Sequence, residues 1–89
     1  MKVRKHIYFS GRVQGVGFRY HAYRIAMTLG LTGWVQNLYD DRVEMEVQGE
    51  ESLVWDLVTE LHKQRFIEIE DMDVADLPLK AESEFRIAN

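Results

Sequence analysis

The sequence contains no cysteine and only one proline among its 89 residues. Without cysteine, the chain has no disulfide framework, no thiolate zinc site and no cysteine nucleophile. No apolar run approaches the length of a membrane span or of a signal-peptide core, so the sequence predicts a cytoplasmic protein without a membrane partner. A chain of this length forms one small domain, residues 1–89, for which a monomer is the default expectation.

Acidic residues are absent from the first 39 positions, although the formal net charge of the whole chain is −4. Residues 1–45 contain seven basic and three acidic side chains, whereas residues 46–89 contain four basic and twelve acidic ones. An acidic chain opposes a long polyanion, so nucleic acid is not expected as a partner. The acid-free stretch leaves room for a local anion site, but the charge count alone favours an ordinary solvated surface.

Apolar periodicity predicts the order strand, helix, strand, strand, helix, strand, followed by a short final strand. The predicted strands lie at residues 6–9, 33–38, 43–48, from 67 onward and 85–87. The predicted helices lie at 18–29 and from just after Glu51 to near Lys63. Gly30 is expected to cap the first helix. Asp40 and Asp41 form the tip of a hairpin turn, in which Asp41 must tolerate a positive φ angle.

This order predicts an α+β fold, the ferredoxin-like split βαβ sandwich, in which two helices cover one face of an antiparallel sheet. In the fourth strand the apolar parity shifts near Asp71, which indicates a bulge or a local twist. The architecture hosts many functions, so the function must be argued from a site.

A glycine-rich segment between the first strand and the first helix carries the chemistry, since residues 11–19 read GRVQGVGFR. Its glycines allow a tight backbone, and because it lacks proline every residue offers an N–H group. Together with the helix N-terminus, such a loop can surround an anion, over which Arg19 can close with paired hydrogen bonds. The spacing fits neither the Walker motif nor the dinucleotide fingerprint, and a tight connection between packed elements explains it equally well.

The same segment, followed by GWVQN at residues 33–37, resembles the acylphosphatase family. The resemblance covers most of the chain and is strongest from about residue 7 to residue 47. It implies hydrolysis of acyl phosphates, the mixed anhydrides of carboxylic and phosphoric acids, within a ferredoxin-like fold. The sequence departs from the family pattern at Asp41, where glycine is usual, and at residues 64–66, where the family often has Gly-Pro. Both departures concern turns and the edge of the substrate site more than the reaction.

The resemblance also implies the roles of individual residues. Arg19 would bind phosphate together with main-chain N–H groups of the loop, and Asn37 would position the attacking water. The loop residues are Gln14, Gly15, Val16, Gly17, Phe18 and Arg19. A small acyl phosphate would be the substrate and inorganic phosphate the product or an inhibitor. Because a carboxylate leaves readily, positioning and charge stabilisation suffice, and neither a cofactor nor a metal is expected.

Two other functions remain open. The chain could be a non-catalytic acylphosphatase-like module that binds phosphate or carbamoyl phosphate, as occurs at the N-terminus of larger maturation proteins. An RNA-binding domain of the same topology is disfavoured by the acidic second half and by the prediction that Trp34 lies in the core. Glu44 and Glu46 are predicted to form a solvated strand face. Arg12 is expected to pair with an acid such as Asp40 or to add positive potential at the loop.

Overall fold

A computed structural model describes all 89 residues, Met1–Asn89, in the order β1–α1–β2–β3–α2–β4–β5. The strands are β1 (Lys2–Arg12), β2 (Thr32–Asn37), β3 (Val43–Glu50), β4 (Glu68–Leu77) and β5 (Phe85–Ile87), and the helices are α1 (Phe18–Leu29) and α2 (Glu51–His62). The bounds of α1 are the predicted ones, and Gly30 caps it in the left-handed conformation at φ 70°. Neither helix has the length and apolar character that crossing a membrane requires.

The five strands form one sheet in the order β4-β1-β3-β2-β5. The first four strands pair antiparallel, which confirms the predicted ferredoxin-like sandwich, and β5 adds a parallel pairing with β2. The chain thus crosses from β4 at one edge of the sheet to β5 at the other. We call residues 78–84 the cross-sheet segment.

The core lies between the sheet and the two helices. Alternate residues of the central strands point into it, as the period of two requires, and the amphipathic helices present their apolar faces to it. Its fully buried strand members include Ile7, Phe9, Val35, Val43, Met45 and Val47, and its helical members are Phe18, Ala22, Ala26, Val54, Leu57, Val58 and Leu61. The rings of Phe9 and Phe18 lie 4.9 Å apart, so the strand and helix on either side of the glycine-rich loop are held together by the core.

Two local irregularities of the backbone agree with the predictions. Asp41 adopts φ 76° at the tip of the β2–β3 hairpin. Between β1 and β4 the register steps from Ser10 opposite Asp71 to Gly11 opposite Ile69, so β4 carries one extra residue and the parity shift is a bulge. Gly11 has φ 125°, and a Cβ there would lie 2.3 Å from a main-chain oxygen of β4, which explains why only glycine fits.

The sheet face opposite the helices carries a buried ion-pair network. Arg4 is only 1% exposed; its Nε donates to Glu46 over 2.9 Å and its Nη1 to Glu82 of the cross-sheet segment over 2.7 Å. Gln48 exchanges two hydrogen bonds, each of 2.8 Å, with the main chain of Lys80. These contacts fasten the cross-sheet segment to β1 and β3, and thereby fix where β5 begins.

This network overturns two expectations about side chains. Glu44 and Glu46 were expected to be solvated, but their side chains are only 16% and 14% exposed. Glu44 accepts hydrogen bonds from His6 over 2.7 Å and from Gln36 over 2.8 Å. Trp34 lies directly opposite Glu46 on the neighbouring strand and is half-buried on this face rather than in the core. Both predictions were wrong because the sheet face opposite the helices is also covered. The alternation of apolar and polar residues along the strands does not reveal this cover.

The Arg4 network predicts an acid-sensitive component of stability. Burial works to raise the pKa of Glu82, but the hydrogen bond and charge of Arg4 outweigh it, so the pKa lies below the ordinary 4.5. A carboxylate of this kind stabilises the fold above its unfolded-state pKa and loses the contribution as pH falls through the lower folded value. We therefore expect Glu82→Gln to cost about 1–3 kcal/mol near neutral pH and progressively less below pH 4.5.

Thermal denaturation over a series of pH values measures this effect. Glu84→Gln is the matched control because Glu84 is exposed in the same connection and its side chain makes no ion pair. Parallel pH profiles for the Glu82→Gln variant and the unmodified protein would contradict the prediction.

Candidate active site

The glycine-rich loop contains main-chain N–H groups that have no partner in the protein. Gly15 and Gly17 have φ angles of 72° and 81°, a left-handed conformation that glycine adopts without strain. Gly17 is the N-cap of α1 and provides no side-chain cap. The main-chain N–H groups from Gln14 to Arg19 donate to no other protein group. Free donors of this kind at a helix N-terminus favour an anion.

Gln14 fastens this loop to the β2–β3 hairpin. Its Nε2 donates to the carbonyl oxygen of Leu38 over 2.6 Å and to that of Arg42 over 2.9 Å. Leu38 directly follows Asn37, so these bonds fix the position of the loop relative to the end of β2. The side chain therefore has a structural task, whereas the resemblance assigned Gln14 only a main-chain N–H.

A single pocket of about 290 Å³ brings Arg19, Asn37 and the loop together. Its lining residues are Val13, Gly15, Gly17, Phe18, Arg19, Tyr20, Asn37, Ile87 and Asn89. Of the proposed loop residues, Gln14 and Val16 do not line it. Val16 packs against the hydrophobic core instead.

Arg19 and Asn37 both retain hydrogen-bonding capacity within the pocket. Arg19 forms hydrogen bonds through Nη1 alone, both of them to Asn89. The side-chain oxygen of Asn37 is buried and accepts no hydrogen bond from the protein. Leaving a buried acceptor unpaired costs about 1–3 kcal/mol, so this oxygen is suited to a bound water or ligand.

Asn89 belongs to the site although sequence reasoning missed it. Its Oδ1 accepts from the Asn37 N–H over 2.9 Å and from Arg19 Nη1 over 3.2 Å, and its Nδ2 donates to the Asn37 carbonyl over 2.7 Å. The main-chain oxygen of Asn89 also accepts from Arg19. No local sequence pattern signals this contact, which follows from the register of β5. Val35 lies opposite Ile87, and two residues further along each chain are Asn37 and Asn89.

The charges around the loop differ from expectation in one respect. Asp40 pairs with Arg42, whose Nε lies 2.9 Å from its Oδ2, and not with Arg12, which is exposed. The hydrogen bond from the Arg42 main chain, reinforced by its guanidinium, holds the pKa of Asp40 below its usual value. No group of three or more His, Cys, Asp or Glu side chains is arranged to hold a metal ion.

The structure is an α+β sandwich with a loop of unpaired N–H groups at a helix N-terminus, and the family comparison identifies its class. The acylphosphatase family model matches residues 5–87, and the chain belongs to the acylphosphatase family. The members it matches are hydrolases, and this chain is a hydrolase of that family.

Individual relatives agree with this assignment. The chain is 48% identical to an acylphosphatase of Clostridium beijerinckii over 79 residues, which span 86% of this chain and 88% of that protein. It is 52% identical to an acylphosphatase of Nostoc over 60 residues, which span 67% of this chain and 59% of that longer protein.

Solved structures resemble the fold over its whole length. The crystal structure of the Bacillus subtilis acylphosphatase superposes with a TM-score of 0.90 at 34% identity and covers 100% of both chains. The crystal structure of T. kodakarensis HypF superposes with a TM-score of 0.83 at 33% identity, and the match covers all of this chain but only 12% of HypF. The domain thus resembles both a protein of its own length and a small part of a much longer one.

Proposed function

We propose that this chain hydrolyses acyl phosphates to a carboxylate and inorganic phosphate. The observation that supports this proposal most strongly is the combination found in one pocket. Arg19, Asn37 and the loop line one pocket, the loop N–H groups donate to no protein group, and the buried side-chain oxygen of Asn37 is unpaired. Donors of this kind suit a phosphoryl group, and an unpaired acceptor suits the water that attacks it.

In this proposal, the loop and Arg19 bind the phosphoryl group. The N–H groups from Gln14 to Arg19 and the N-terminus of α1 supply preorganised partial positive charge, which acts on the phosphoryl oxygens where charge develops. Arg19 forms no ion pair with an acidic side chain, so its charge is available to the ligand. A guanidinium offers two parallel hydrogen bonds to phosphate oxygens, which orients the group as well as binding it.

Asn37 positions the attacking water. An amide oxygen accepts a hydrogen bond from a water molecule and thereby directs a lone pair of the water toward phosphorus, without acting as a base. The new bond joins the water oxygen to phosphorus, and the bond from phosphorus to the carboxylate oxygen breaks. The carboxylate is stable without a proton at neutral pH, so no general acid is needed. The protons of the water pass to phosphate oxygen or to solvent.

The first experiment is release of inorganic phosphate from benzoyl phosphate by the purified chain, measured with and without EDTA. We expect release in both conditions. The second candidate is a module that binds phosphate without hydrolysing the substrate, and it is considered because a domain of this fold also forms a small part of the much longer HypF. Binding of inorganic phosphate without any release from benzoyl phosphate would support that module and overturn the proposed enzyme.

Gln14 provides a prediction about the loop. Gln14→Ala removes the two hydrogen bonds that fix the loop to the hairpin but leaves every main-chain donor in place. Small displacements of catalytic groups are costly, and about 1 Å can reduce the rate about 10²-fold. We expect kcat/KM to fall at least tenfold, by this reasoning, with only a modest decrease in melting temperature.

Gln64→Ala is the matched control because Gln64 also donates a side-chain hydrogen bond to a main-chain carbonyl oxygen, that of Glu60, but does not line the pocket that contains Arg19 and Asn37. Its kcat/KM should equal that of the unmodified protein. Unchanged kinetics in the Gln14→Ala variant would show that the loop holds its geometry without this anchor.

A further inference from the structure

The side chain of Asn89 takes the place of a strand partner at the end of β2. The parallel pairing of β2 with β5 ends at Val35 opposite Ile87, and the Ala88 N–H donates to the Val35 carbonyl over 2.8 Å. Beyond that point, the Asn89 amide group continues the ladder. It accepts from the Asn37 N–H and donates to the Asn37 carbonyl, over 2.9 and 2.7 Å. The two bonds hold both polar groups of the Asn37 main chain.

The same amide group also constrains Arg19. Its Oδ1 is shared between the Asn37 N–H and Arg19 Nη1, so one atom sets the position of both residues. Nε and Nη2 of Arg19 donate to no protein group, and this edge of the guanidinium remains for phosphate oxygens. Asn89 thus bonds to the main chain of Asn37 and to Nη1 of Arg19, which are groups that the proposed reaction does not use.

We infer that Asn89 is a positioning residue that sets the direction of the Asn37 side chain, an inference that rests on the proposed function. Its two bonds to the Asn37 main chain limit rotation of that residue, and the direction of the unpaired Asn37 oxygen follows from the main chain that carries it. A water held by a misdirected oxygen attacks poorly, since catalysis by positioning depends on near-attack geometry. Asn89 therefore acts on turnover through Asn37 rather than by touching the substrate.

The test is a double-mutant cycle on benzoyl phosphate hydrolysis. Asn89→Ala is expected to lower kcat about tenfold, by the positioning argument. It should change the inhibition constant of inorganic phosphate much less, because the loop donors remain and Arg19 keeps its hydrogen bond to the main-chain oxygen of residue 89. In the Asn37→Ala background the same substitution should leave kcat nearly unchanged, since no amide oxygen is left to direct. Hydrogen exchange of the residue 37 amide should become faster in Asn89→Ala.

Arg86→Ala is the matched control, because Arg86 is exposed on the same short strand and makes no ion pair. A role limited to anchoring β5 predicts that Asn89→Ala lowers kcat by the same factor in both backgrounds, and this result would overturn the inference. Unmodified kcat in the single variant would overturn it as well. If the unmodified chain releases no phosphate, the proposed function fails first, and the catalytic role of Asn89 fails with it.

Discussion

The Arg19→Ala variant is expected to lose phosphate binding and turnover together. Arg19 is the one guanidinium that lines the pocket, and its charge acts on the phosphoryl group in the ground state as well as in the transition state. Loss of a single preorganised donor typically costs about 10²–10³ in rate, and loss of a full charge at a phosphate site should reach or exceed the upper figure. The variant should fold, because Arg19 is half-exposed on the surface of α1 and contributes nothing to the core.

Two measurements check this prediction, namely kcat/KM for benzoyl phosphate and the inhibition constant of inorganic phosphate. Arg24→Ala is the matched control, since Arg24 is exposed on the same helix and its guanidinium lies 5.7 Å from the centroid of the Tyr20 ring, outside the lining of the pocket that contains Arg19. Arg19→Lys should recover part of the binding, because a lysine restores the charge without the paired geometry. Near-normal turnover by Arg19→Ala would exclude Arg19 as the phosphate-binding residue.

The Asn37→Ala variant is expected to separate binding from chemistry. Its substitution removes the unpaired oxygen but keeps the main-chain bonds to Asn89, so the pocket and the phosphate-binding groups stay in place. We expect kcat to fall about 10²–10³-fold, the cost of removing one group that acts mainly in the transition state. The inhibition constant of inorganic phosphate should remain close to that of the unmodified protein.

Gln36→Ala is the control for Asn37→Ala, because Gln36 is its neighbour on β2 but faces the opposite side of the sheet, where it contacts Glu44. If Asn37→Ala weakened phosphate binding as strongly as Arg19→Ala, the division between a binding group and a water-positioning group would be wrong. Retention of normal kcat would exclude Asn37 from the reaction altogether.

The parts of the structure that depend on residues close together in the sequence were predictable. The apolar spacing of α1 and Gly30 defined its limits, and the alternation in β3 defined the hairpin, including the positive φ angle of Asp41. The loop was also predictable, because its glycines and the following Arg19 lie in one short segment. The resemblance to the acylphosphatase family then brought Asn37 to the same site, and the fold places it in the same pocket.

The parts that depend on the long connection between β4 and β5 were not predictable. Whether β5 joins the sheet parallel or antiparallel, and in which register, decides whether Asn89 reaches Asn37, and no local pattern encodes this. The burial of Arg4 has the same origin, since the cross-sheet segment covers a face that strand alternation assigns to solvent. Trp34 was misplaced for that reason, because a half-covered second face accommodates an aromatic side chain outside the core.

Hydrolysis of benzoyl phosphate in water labelled with heavy oxygen tests the proposed mechanism most directly. If the loop and Arg19 hold the phosphoryl group and Asn37 directs water at phosphorus, one labelled oxygen appears in inorganic phosphate and none in benzoate. In the slower Asn37→Ala reaction, the amount of label in inorganic phosphate measures how much of the substrate is still attacked at phosphorus. Label in benzoate from the unmodified protein would mean that water attacks the carbonyl carbon, and would contradict the roles proposed for Arg19 and Asn37.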